Sequence, residues 1–282
     1  ILGDPHAVKS EALLRTYGSF IDSLGGRYVT AEDVGTTQAD MDLILRQTSF
    51  VTGVSKSRGG SGDPSEATAY GLWWAMKAVL EHLDGTTDLT DRHIVVSGVG
   101  KVGTALVRHL VEERAVVTVA DVDPGAVARV VRDFDVSATT VEQAPTVVSD
   151  IFSPCALGGV LNETTIPALK CRAVAGSANN QLATPEDAAR LAERGVLYAP
   201  DFIVNAGGVI NIADELDGYH RERAYGSIRR IFDTTRAVLA DARAEGITTD
   251  AAATALAQRR ITELGGRAAI RTFPNARRRH LG

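Results

Sequence analysis

Three glycines at a fixed spacing carry the most legible chemistry in this chain. Gly98, Gly100 and Gly103 form a GxGxxG run within Ser97–Gly103, SGVGKVG. Ahead of them, Ile94–Val96 is a β-branched run that reads as a buried strand. Behind them, Val102, Leu106, Val107 and Leu110 recur at helical spacing, and a second apolar run, Val116–Ala120, ends on Asp121. Strand, tight turn, helix and a second strand closed by an acid form the setting in which such glycines bind a dinucleotide. Gly98 lets the chain leave the strand in a tight turn. Gly100 keeps any side chain away from the pyrophosphate, and Gly103 lets the helix approach the sheet. The free N–H groups and positive dipole end of the helix face the phosphates. Asp121 is placed to accept hydrogen bonds from the adenosine ribose and to repel a 2′-phosphate, so NAD is expected rather than NADP. Asp123 adds negative charge, and the next arginine is Arg129.

A second group of candidates sits at three later strand ends. Val147–Phe152 is followed by SPCALGGVLN, Ala173–Ala175 by GSANNQL, and Val196–Tyr198 by APDFIVNAGGVIN. In a parallel α/β sheet these loops gather outside the carboxyl ends of the strands, beside a bound dinucleotide. Small residues leave room there, and the amides of Asn179, Asn180 and Asn205 both donate and accept hydrogen bonds. Asparagine is also an ordinary turn residue; its recurrence at strand ends singles these three out. A further candidate is Asp33, just after a short strand begun by Tyr28 and Val29 and just before Gly35. It lies within the acid-rich Thr30–Asp42, TAEDVGTTQADMD, for which a plain acidic loop is the bland alternative. His6, His82, His93, His109, His220 and His280 show no ligand spacing, so no metal is expected.

Elements that would position these residues are readable from periodicity. Lys9–Leu24 is helical, with Leu13, Leu14, Tyr17, Phe20, Ile21 and Leu24 apolar and Gly25-Gly26 as its stop. Ala39–Gln47 is a second helix. Gly53–Ser65 is a glycine-rich loop, in which Asp63 or Ser65 can cap the helix Glu66–Leu83; Trp73, Trp74 and Met76 on that helix read as packing residues. Pro124–Arg132 is a helix opened by proline, and Thr139-Thr140 a brief strand. Val209–Glu245 is a long helical region broken or bent near Gly218 and Gly226, followed by a helix over Thr249–Leu264 and a basic tail, Arg267–Gly282. The 282 residues suffice for two domains. A net charge of −5 gives no reason to expect nucleic acid or an anionic membrane as partner, and no apolar run approaches a membrane span. Cys155 and Cys171, without CxxC spacing, read as reduced thiols of a cytoplasmic protein.

The motifs together resemble one family. GDP at Gly3–Pro5, GGRYVTAEDVGTTQADMD at Gly25–Asp42, GGSGDPS at Gly59–Ser65, SGVGKVG, SPCALGG at Ser153–Gly159, AGSANNQL at Ala175–Leu182 and YAPDFIVNAGGVINIADE at Tyr198–Glu215 are similar to the leucine/valine/phenylalanine branch of the glutamate-type amino-acid dehydrogenases. The resemblance runs from Ile1 to about Leu264. It implies an α/β fold: a Rossmann-like doubly wound NAD-binding domain with connecting helices over residues 64–245, beside a truncated α/β catalytic (dimerisation) domain whose remnant is residues 1–63. Residues 246–282 would be a C-terminal helix and basic tail. The implied reaction is reversible, NAD-dependent oxidative deamination of an apolar L-amino acid, leucine- or valine-like, to the 2-oxo acid and ammonia, by a homo-oligomer. A phenylalanine enzyme is the alternative substrate reading.

The resemblance also assigns roles. Asp33 takes the place of the catalytic acid and exchanges protons with the amino group, in a cleft that would tune its pKa. Ala31 lies near the substrate side chain, and Asn205 near the substrate carboxylate and the nicotinamide. Cys155 and Ala156, and likewise Asn179 and Asn180, line the nicotinamide ribose. Thr68 contacts the nicotinamide amide. With Gly98, Gly100, Lys101, Val102, Gly103 and Asp121 they complete the implied cofactor set. The departure concerns two lysines, one catalytic and one holding the substrate carboxylate, which relatives carry upstream of the positions matching Ile1. The chain starts Ile1-Leu2-Gly3-Asp4-Pro5 without an initiator Met, and Ile1-Leu2 reads as a strand end, so an upstream portion is expected to be missing. Lys9 is not a credible substitute. A non-catalytic NAD-binding fragment is therefore the rival reading.

Overall fold

A computed structural model describes residues 4–33 and 35–265 of the chain, so Ile1–Gly3 and the basic tail lie outside the described residues. The chain divides into two compact units: Ile1–Pro64, Val209–Gly226 and Glu263–Gly282 form unit 1, and Ser65–Gly208 with Ser227–Thr262 form unit 2. The stretch Val209–Gly226, which the motif reading placed inside the 64–245 domain, groups with unit 1.

Unit 2 is built on one parallel sheet. Its strands are β1 (His93–Ser97), β2 (Val116–Ala120), β3 (Ser137–Ala138), β4 (Ser149–Pro154), β5 (Cys171–Val174) and β6 (Leu197–Tyr198), in the order β3-β2-β1-β4-β5-β6. This is the doubly wound dinucleotide-binding order, and it reverses between β1 and β4. Strand β3 falls two residues before the expected Thr139-Thr140. Its register is set by its partner, with Ser137 opposite Thr118 and Ala138 opposite Val119; Thr139 contributes only its N–H, to Val119 O. Strand β4 starts later than expected, because Ala144–Thr146 forms a 3-10 turn and Val148 is exposed.

The helices in chain order are α1 (Pro5–Val8), α2 (Glu11–Ser23), α3 (Gln38–Leu45), α4 (Ser65–Asp84), α5 (Lys101–Glu112), α6 (Pro124–Phe134), α7 (Glu186–Glu193), α8 (Asp201–Val204), α9 (Gly207–Ala213), α10 (Arg221–Arg229), α11 (Ile231–Glu245) and α12 (Thr249–Gly265). In unit 2, α4 packs against α5 and α11. Gly71 makes the second packing close, since a Cβ there would lie 2.7 Å from Ile231 Cδ1 on α11, and 3.2 Å from Ile228 Cγ2 on α10. Trp73 stacks on His109 at 5.6 Å, and Trp74 meets Phe232 edge-on at 6.0 Å, the packing role the sequence suggests. Gly218, at φ +79°, interrupts the Val209–Glu245 region as expected. Gly226 does not: it sits inside α10, and the break falls at Arg230, where the chain turns to bring Ile231 against Gly71.

Unit 1 carries helices and, among its described residues, a single parallel bridge, Thr30 to Val51, in place of the strand expected at Tyr28-Val29. Helix α2, capped by Ser10, packs on α3, whose Thr37 and Asp40 form a capping box. Only part of the apolar set of α2 is inward: Leu14 and Ile21 are buried, whereas Leu13, Tyr17 and Phe20 are exposed. Gly18 decides the face, because a Cβ there would lie 2.9 Å from Gln47 Cβ and 3.0 Å from Ile44 O. The close approach therefore runs along Leu14, Gly18 and Ile21.

Candidate dinucleotide site

The glycine turn of unit 2 is set by backbone contacts. Strand β1 ends at Ser97, and Gly98 turns at φ +105°, a conformation few side chains tolerate. Its N–H donates to Ala120 O at 2.7 Å, tying the turn to β2. A Cβ at Gly98 would lie 2.7 Å from Ala156 N, so the turn is also seated against the loop after β4. A Cβ at Gly103 would run into Gly98 O, which is why the first turn of α5 lies so near the strand end. Gly100 differs: it is the N-cap of α5, no side chain caps the helix there, and a Cβ on it would meet nothing within 4 Å. The space a phosphate needs is open at the one glycine assigned to it, at the start of a helix that no side chain caps. Lys101 is exposed and Val102 half-buried in the same helical turn.

Asp121 follows β2 and holds the turn from the side. Its Oδ2 accepts from Val99 N–H at 2.7 Å and its Oδ1 from Asp123 N–H at 2.9 Å. Each carboxylate oxygen keeps a lone pair for a ribose hydroxyl. The open glycine, the uncapped helix start and this anchored acid fit a dinucleotide.

From the turn, contacts continue across the sheet end through the other candidates. Cys155 N–H donates to Ser97 O at 2.7 Å. Gly159 N–H donates to Asn180 O at 2.8 Å, and a Cβ at Gly158 would lie 2.5 Å from Asn179 O. Asn180 takes φ +53°, a conformation asparagine adopts more readily than most residues. Asn205 Nδ2 donates to Asn179 Oδ1 at 2.6 Å and to Ser177 O at 3.2 Å. A Cβ at Gly207 would lie 3.1 Å from Thr68 Cα. Cys155, Ala156, Asn179, Asn180, Asn205 and Thr68 thus form one continuous arc with the glycine turn. Both cysteines are free, and burial pushes the Cys171 thiol up to about 11.

Two residues of this arc were not singled out by sequence. Gln181 is fully buried, and its Nε2 donates to Gly176 O at 2.7 Å and Ala178 O at 3.0 Å. Asp201, at the start of α8, accepts from Gln181 N–H at 2.8 Å. The only local signal was a glutamine directly after the Asn179-Asn180 pair.

Ala31 and Asp33 belong to unit 1. Asp33 is exposed; its N–H donates to Thr36 Oγ1 at 2.9 Å, and its carbonyl accepts from Thr36 N–H at 2.9 Å. Lys9 Nζ lies 2.6 Å from Asp40 Oδ2 and 3.2 Å from Gly35 O. In the same unit, Glu215 is buried and accepts from Ser61 N–H at 2.7 Å and Ser61 Oγ–H at 2.6 Å. Among the described residues no group of three or more His, Cys, Asp or Glu side chains could hold a metal ion, and no helix is long and apolar enough to cross a membrane.

Comparison with known proteins places the chain in a family. Leucine dehydrogenase from Geobacillus stearothermophilus is 49% identical over 93% of this chain and 71% of its own length. Valine dehydrogenase from Streptomyces albus is 47% identical over 95% of this chain and 74% of its own length. The crystal structure of L-tryptophan dehydrogenase from Nostoc punctiforme superposes with a TM-score of 0.81 at 38% identity, covering 92% of this chain and 75% of that one. Residues 59–265 match the family model described as Glutamate/Leucine/Phenylalanine/Valine dehydrogenase. The chain belongs to that family of amino-acid dehydrogenases.

Proposed function

We propose that the chain binds NAD along the arc from Gly98 to Asn205 and acts in the oxidative deamination of an apolar L-amino acid, leucine- or valine-like, to its 2-oxo acid and ammonia. The observation that carries this reading is the pairing of an open Gly100 with a closed Gly98 and Gly103: one glycine faces space while its neighbours face backbone. Leucine and valine dehydrogenases among the relatives support the substrate class. The adenosine ribose lies on Asp121, the pyrophosphate over Gly100 and the start of α5, and the nicotinamide end over the loops after β4, β5 and β6, beside Thr68. NAD supplies the hydride acceptor. Asn205 orients the substrate carboxylate, Ala31 leaves room for a branched aliphatic group, and Asp33 exchanges a proton with the amino group. A homo-oligomer is part of the same proposal.

The test separates binding from turnover. NADH fluorescence titrations should show NADH bound at least tenfold more tightly than NADPH. Equal affinity would overturn the role of Asp121. NADH formation is then followed with L-leucine, L-valine, L-phenylalanine and L-glutamate. The first two should lead, and Asp33→Asn should abolish turnover while leaving NADH binding intact.

A further inference from the structure

The proposed site depends on two asparagines from separate loops holding a fixed relation to each other. Asn179 sits in the loop after β5, and Asn205 at the end of α8, after β6. Their direct bond, Asn205 Nδ2 to Asn179 Oδ1 at 2.6 Å, joins a half-buried side chain to an exposed one. Behind them lies a buried link between the same two segments. Gln181, with no exposed surface, turns its Nε2 onto the carbonyls of Gly176 and Ala178. The amide cannot flip without setting its oxygen against those two carbonyl oxygens. Gln181 Oε1 is buried without a hydrogen-bond partner, a cost that a purely apolar side chain would avoid. The backbone N–H of Gln181 is held by Asp201 Oδ2 at 2.8 Å, and Asp201 O accepts from Asn205 N–H at 2.9 Å.

We propose that Gln181 and Asp201 are positioning residues: they clamp the loop Gly176–Asn180 to α8, and so set Asn179 and Asn205 for the nicotinamide half of the dinucleotide. The proposal rests on the dinucleotide reading above. Asp121 and the glycine turn serve the adenosine and pyrophosphate half from β1 and β2. The clamp should therefore act on one half of the ligand alone.

The experiment compares NADH with ADP-ribose, which keeps the adenosine and both phosphates but lacks nicotinamide. Affinities are measured by calorimetry on the chain and on Gln181→Leu, Gln181→Glu, Asp201→Ala and Asp201→Asn, each checked for folding by its thermal transition. Gln181→Leu, Gln181→Glu and Asp201→Ala should weaken NADH about tenfold and leave ADP-ribose within twofold. Asp201→Asn keeps an acceptor oxygen for the Gln181 N–H and should retain NADH affinity. Equal losses for both ligands, or none for either, would overturn the clamp. If a variant fails to fold, the remaining ones decide. If the unsubstituted chain binds neither ligand, the dinucleotide reading has failed rather than the clamp.

Discussion

At the carboxyl ends of β1, β4, β5 and β6 the chain is mostly glycine, alanine and asparagine; at the amino ends of β1, β4 and β5 it is arginine and aspartate. Arg172 pairs with Asp84 and Asp150, with Nη1 2.9 Å from Asp84 Oδ2 and 3.0 Å from Asp150 Oδ1. Arg92 Nη1 joins both acids at 2.9 and 3.5 Å. Asp150 also accepts from His93 N–H at 3.0 Å, and the His93 ring bridges Val148 O and Thr118 Oγ1 at 2.8 Å each. One end of the sheet is held by long charged side chains that fill their own surroundings. The other is held by backbone contacts that leave space. The same strands therefore separate a charged end from the end where the proposed dinucleotide would bind.

Substitutions at the two ends should part stability from binding. The largest effect is expected for Gly103→Val, because both atoms in conflict belong to the backbone: stability should fall by about 3 kcal/mol and NADH binding should be lost. Gly100→Ala sharpens the contrast. Its Cβ meets no protein atom, so stability should change by less than about 1 kcal/mol, while NADH affinity drops about tenfold in a fluorescence titration. An unchanged affinity would show that no phosphate lies over Gly100. At the other end, Arg172→Ala should lower stability by about 1 kcal/mol, the scale of a partly exposed ion-pair network, and leave NADH affinity unchanged.

The smallest effect is a pH dependence at the charged end. The Arg172 guanidinium, aided by Arg92 and opposed by burial, holds the Asp84 carboxyl below its ordinary value. A carboxyl lowered in the folded state adds stability above its unfolded pKa, about 4, and loses it as pH falls through the folded value. The difference in melting temperature between the chain and Arg172→Ala should therefore be full at pH 7 and shrink below about pH 4. A difference that grows on acidification would contradict the assignment.

What was legible in the sequence was local. The glycine turn, α5, β2 and Asp121 fall within a few dozen consecutive residues, and their spacing alone specifies the geometry. Strand β3 was misplaced because its two residues are chosen by their partners on β2. The apolar spacing of Lys9–Leu24 identifies a helix but does not say that Leu13, Tyr17 and Phe20 stay exposed, because it does not reveal that Gly18 is the point of closest approach. Gln181 and Asp201 were missed for a similar reason: their roles depend on a fold that brings positions 20 apart into hydrogen-bond contact. Arg172 and Asp84, 88 positions apart, left no signal. Local chemistry shows in spacing; clamps and networks show only once the chain has closed.

The packing of α4 on α11 has a consequence for how this protein is made. The two helices meet through Gly71 against Ile231 and Trp74 against Phe232, yet about 160 residues separate Asp84 from Glu245. At roughly 5–20 residues per second, a ribosome needs roughly ten to thirty seconds to deliver the second helix after the first. Over that interval the part of α4 that α11 covers has no permanent cover. A nascent chain stalled before Ile231 should accordingly engage apolar-binding chaperones through this helix, and release should coincide with emergence of α11.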